Sequence, residues 1–119
     1  MGRYSDFWPI YLAAHRGMWT QRIHLLASTV GAMGCFSAVA LGMPLLAPAG
    51  ILIALAIAFS SHYLIEGNHP TIAQNPLWSA VGDVHMCSLL VTGRLPAEMK
   101  RLGLERRTDE RFVWAKARR

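Results

Sequence analysis

A chain of 119 residues that is 53% hydrophobic and only 16% charged is too apolar for an ordinary soluble domain, and its length allows one domain. Its formal net charge of +5 raises nucleic acid as a partner. The basic residues flank apolar segments and form no nucleic-acid motif, so we expect no nucleic-acid partner and assign the charge to anionic lipid headgroups.

Asp6 before Phe7, Trp8 and Pro9 predicts a helix start, with an N-cap and a proline in the first turn. On that helix Trp8, Tyr11, Leu12 and His15 share a face. Gly17 weakens it, and Thr20 is suited to cap a new helix carrying Arg22 and His24. The first 22 residues carry Asp6 and three arginines and lack a continuous apolar core, so they are not read as a secretory signal peptide.

Between Arg22 and Glu66 lie 43 residues without Lys, Arg, Asp or Glu, while one bilayer crossing needs only about 20. Pro44 and Pro48, with Gly42 and Gly50 beside them, supply turn chemistry near the middle. The expectation is two antiparallel helices over roughly 23–43 and 49–66. Small residues, among them Gly31, Ala32, Gly34 and Ala38, permit close helix approach in lipid. A buried hairpin of a soluble core is the alternative.

Asn68-His69-Pro70 and Asn75-Pro76 end the hairpin, because a residue before proline avoids helical geometry. A further helix is expected over 77–92, lying along the interface or packing as a third segment, followed by a basic tail. The predicted class is thus all-α, a small integral membrane helical bundle built on a transmembrane hairpin, with a domain at 1–95 and a tail at 96–119. Three of the twelve Lys and Arg residues precede the apolar run and nine follow Thr92. That balance predicts both termini cytoplasmic, and the expected location is a bacterial inner membrane. Cys35 and Cys87 fit no metal or redox spacing and are read as small packing residues.

Four of the five histidines sit at the ends of the hairpin: His15 and His24 enter it, His62 and His69 leave it. An antiparallel hairpin brings these ends together, which makes them candidate metal ligands. On one straight helix His15 and His24 would point about 180° apart, so the break near Gly17 is needed for them to meet. His62 and Glu66, four apart, share a face as two ligands or as a ligand and its orienting carboxylate. His69 joins only if the helix end bends. Glu66 and Tyr11 are the catalytic candidates, and Arg22, Tyr63 and Asn68 the candidates for binding a polar substrate head. Asp83 and His85, two apart, fall on different faces, which argues against a joint site.

The segments FWPIYLAAH at 7–15, RIH at 22–24, SHYLIEGNHP at 61–70, NPLWSAVGD at 75–83 and GRL at 93–95 together resemble the membrane 2-hydroxy fatty acid dioxygenases, named for metabolism of phytosphingosine to odd-numbered fatty acids. The resemblance covers about Tyr4 to Leu95. It implies an Fe(II)-dependent enzyme that shortens a 2-hydroxy fatty acid by one carbon with O2, with His15, His24 and His62 essential and Glu66 close by. Relatives often carry arginine where His69 stands. Two other readings stay open, a zinc-dependent membrane hydrolase and a non-enzymatic helical membrane protein, and so does assembly as a homo-oligomer.

Overall fold

In a computed structural model that describes residues 2–104, two long helices run antiparallel as the predicted hairpin: α2 over Met18–Ala40 and α3 over Leu46–Ser61. α2, and α3 together with the turn that follows it, are each long and apolar enough to cross a membrane. Their distal halves expose large apolar side chains, Phe36 at 74% and Val39 at 85%. Such a surface is costly in water and ordinary in lipid.

The turn differs in detail from expectation. Gly42 takes the left-handed conformation at φ 64° and the Met43 N–H closes onto the Ala38 carbonyl at 3.0 Å, ending α2 before residue 43. Pro48 lies in the first turn of α3 rather than in the loop, where the missing N–H has no helical acceptor to lose. The helices approach most closely at two glycines: a Cβ built on Gly34 would stand 2.9 Å from the Gly50 Cα and 2.8 Å from the Leu46 carbonyl oxygen. No side chain fits there.

At the open end of the hairpin, α1 (Tyr4–Ala13), α4 (Pro76–Val91) and α5 (Leu95–Arg101) assemble a small core. Phe7, Trp8, Tyr11 and Leu12 pack with Met86, Leu89, Leu95 and Met99. Fully burying one such side chain contributes about 1.5–3 kcal/mol. The packed core includes Leu95 and Met99 of α5. The remainder of the basic tail, 105–119, lies outside the described residues.

Two predicted caps are corrected. α1 starts at Tyr4 with Arg3 at its N-cap, and Asp6 lies in its first turn facing Arg3 at 3.6 Å. α2 starts after Gly17, and Thr20 is buried within it. Asn75, read from sequence only as a breaker, caps α4, accepting the Trp78 N–H at 3.0 Å, with Pro76 at the first helical position.

Candidate metal centre

The elbow between α1 and α2 is held by one side chain of α2 and two from beyond α3. The Gln21 amide donates to the His15 carbonyl at 2.9 Å, the Asn68 amide donates to the Ala14 carbonyl at 3.1 Å, and the Glu66 carboxylate accepts the Gly17 N–H at 2.8 Å. The α1 helix is thereby turned so that His15 faces His24 instead of pointing away from it.

α3 ends in a single wide π-type turn over His62–Glu66, closed by Gly67 at φ 70°. Such turns are rare and recur at functional sites. This one returns the chain so that Asn68 reaches back to His62.

The result is a cluster of three imidazoles. The ring centroids of His15 lie 4.5 Å from those of both His24 and His62, and the latter two are 5.2 Å apart. Their candidate ligand atoms all fall within 4.8 Å of one another. All three side chains are buried, at 1%, 6% and 2% exposure, so none is a solvated surface histidine.

Hydrogen bonding fixes which nitrogen of each ring is free. Nδ1 of His15 donates to the Tyr11 carbonyl at 2.6 Å, because a carbonyl can only accept. Nδ1 of His62 donates to Oδ1 of Asn68 at 2.7 Å, whose amide nitrogen is already used on Ala14. Nδ1 of His24 lies 3.3 Å from a carboxylate oxygen of Asp83, to which it donates. With each Nδ1 engaged, Nε2 is the nitrogen each ring has left to offer a ligand.

Nε2 of His24 is buried with no hydrogen-bond partner among the described residues. A buried polar atom without a partner costs free energy unless something binds it. Imidazole rings oriented through their far nitrogens suit a divalent metal. Burial, followed by the adjacent imidazoles of His24 and His62, holds His15 well below the usual histidine range, and so unprotonated.

The remaining predicted residues are distributed around this cluster. Tyr11 stacks on His15 with centroids 4.0 Å apart, and its hydroxyl donates to Asp83 at 3.2 Å. Burial, reinforced by the Asp83 charge, pushes the Tyr11 phenol well above its ordinary value. Asn68 orients His62, and Glu66 holds Gly17. Away from the cluster, His69 is exposed with its ring edge-on to Tyr63, also exposed. The Arg22 guanidinium lies over the Trp19 ring at 5.1 Å.

Asp83 is absent from the sequence-derived candidates. It accepts from Tyr11, His24 and Ser28 together, tying α1, α2 and α4 around the cluster. Its signal was an acidic residue inside a mostly apolar helix, the same feature that drew attention to Glu66. His85 faces elsewhere, stacked on Trp8 at 3.8 Å and bonded to the Tyr4 hydroxyl at 2.9 Å.

From the histidines an apolar cavity of about 400 Å³ runs between α2 and α3, with one turn of α4 covering its inner end. Its walls are mostly small and aliphatic, including Ala27, Gly31, Ala54 and Ala58. Polar groups gather only at the histidine end.

A helical hairpin with two spans long enough for a bilayer, carrying three buried histidines at its open end, defines a small helical membrane-type protein with a candidate metal centre. The chain belongs to the Mpo1-like family, described as 2-hydroxy-palmitic acid dioxygenase Mpo1-like, whose model matches residues 1–95. No curated protein and no solved structure matches it.

Proposed function

We propose that the chain is an Fe(II)-dependent dioxygenase of membrane lipid metabolism that shortens 2-hydroxy fatty acids by one carbon, breaking the C1–C2 bond with O2 as oxidant. The observation that carries this reading is the set of three buried histidines whose candidate ligand atoms lie within 4.8 Å of one another, each ring held through Nδ1, beside an apolar cavity. The family description supplies the substrate class.

In this reading His15, His24 and His62 hold the iron. Fe(II) held there would supply the oxygen chemistry. The protein's own residues do the rest. Asp83 and Asn68 keep His24 and His62 in the tautomer that presents Nε2, and Tyr11 stacks against His15 to restrict its ring. The apolar walls keep water from the reacting end and accommodate the alkyl chain. In this reading the histidines face the cytoplasm, which the positive-inside rule supports from the uncharged tip of the hairpin and its basic open end.

One observation favours a second reading. Among the described residues the cluster contains no carboxylate, and a set of three histidines also suits zinc and hydrolysis by a metal-bound water. The test is turnover of 2-hydroxypalmitic acid by protein loaded anaerobically with Fe(II) or with Zn(II). Product formed only with iron and O2 supports the dioxygenase; turnover with zinc and without O2 replaces it.

A further inference from the structure

The cavity walls repeat one pattern on two helices. On α2 the lining positions fall at i, i+3, i+4, i+7, i+8 and i+11 from His24 to Cys35, and the same spacing runs from Ile51 along α3 to His62 at the start of the turn that follows it. Both are single helical stripes. Eleven residues at a rise of about 1.5 Å make each wall ~16 Å long. An extended alkyl chain advances roughly 1.25 Å per carbon, from C–C bonds of ~1.5 Å in a zigzag, so the trough matches about 13 carbons.

Depth changes along it. Near the histidines Ala27 is 3% exposed, whereas Ile51 at the far end is 46% exposed and Ala32 and Cys35 are also exposed. The α4 residues that line the cavity, Ser79, Ala80, Asp83 and Val84, cover the inner part. Pro70, Thr71 and Ile72 also line the cavity, and its long walls are α2 and α3. At the buried end the unpartnered Nε2 of His24 borders the same space, so the trough leads to an atom that needs a ligand.

We propose that this trough is an acyl-chain site that opens sideways into the bilayer, so that it admits chains longer than its own walls and sets no upper limit on chain length. The proposal rests on the dioxygenase reading for the headgroup, but the site for the chain is carried by the trough itself. The occupant is the alkyl chain of a 2-hydroxy fatty acid already dissolved in the membrane. Its first dozen or so carbons lie between the stripes, and the remainder continues into lipid.

The experiment is photolabelling of the full chain in lipid nanodiscs, without added metal. The probes are 2-hydroxypalmitic acids bearing a diazirine either near the carboxyl or near the methyl end. The first probe is expected to label around Ala27 and Ala58, the second around Ala32, Cys35 and Ile51. Unlabelled 2-hydroxytetracosanoic acid should compete within about threefold of 2-hydroxypalmitic acid. Ala32→Trp, at an exposed position on the trough wall, should abolish distal labelling and spare proximal labelling.

A drop of a hundredfold or more for the tetracosanoic acid would show a closed tunnel and overturn the open end. Labelling elsewhere, or a trough protected by a second copy of the chain, would overturn the site. Trough labelling without iron-dependent turnover would sink the dioxygenase alone; turnover with labelling elsewhere would sink the trough alone.

Discussion

The carboxylate of Glu66 accepts the backbone N–H of Gly17 at 2.8 Å, joining the end of the second long helix to the start of the first. Glu66 therefore acts on the elbow that places His15, and none of the three clustered rings depends on it for a proton acceptor. Glu66→Gln, which keeps an acceptor oxygen, should retain metal. Glu66→Ala should lose about 1 kcal/mol of stability, the scale of one hydrogen bond. Chelator-competition titration and denaturant unfolding check this pair. Loss of metal in the glutamine variant would make Glu66 a ligand.

Asp83 is the acceptor shared by Tyr11, Ser28 and His24. Asp83→Asn puts an amide donor where an acceptor stood, so one of these groups loses its partner. Outer partners of metal-bound histidines typically matter by 10–100-fold in affinity. We expect a weakening on that scale, read as the chelator concentration that removes half the iron. Unchanged affinity would reduce Asp83 to a packing element.

Gly34 and Gly50 set the distance between α2 and α3. A Cβ on Gly50 would stand 2.9 Å from the Gly34 Cα, while one on Gly31 would meet the Ala54 Cβ at 3.4 Å, an ordinary contact. Gly50→Ala should cost about 1–3 kcal/mol, as overpacking does, and Gly31→Ala much less. SDS-titration unfolding of the two variants, side by side, tests the ordering.

Burial lowers the His85 pKa below its ordinary 6.5, so the folded state binds fewer protons there than the unfolded chain. Its contribution is intact above pH 6.5 and declines as the pH falls below that value. The melting temperature of wild type should drop on acidification from pH 6.5, and His85→Gln should drop less. The facing groups are the Tyr4 hydroxyl, the Trp8 ring and Glu98. Parallel pH profiles would contradict the assignment.

Much of this arrangement was legible because it is dictated by simple patterns. A charge-free run with prolines at its centre makes a hairpin, and a hairpin brings its ends together. That reasoning located His15, His24 and His62, and it identified Gly17 as the break required. It did not separate His69 from the others, because the π-type turn at His62–Glu66 and Gly67 after it redirect the chain in a way that residue spacing does not encode.

Asp83 was hidden for a related reason. Its partners are 72, 59 and 55 residues away in sequence, and only the packing of α4 beside α1 and α2 joins them. The roles of Asn68 and Glu66 likewise depend on contacts across the elbow. Helical periodicity reports which residues share a face, but not which distant backbone group that face will meet.

The most direct test of the account is metal content, by mass spectrometry on anaerobically purified protein, of wild type beside His24→Gln. Near-stoichiometric iron in wild type and little in the variant is the predicted result. Equal metal in both proteins, or none in either, would contradict the three-histidine centre.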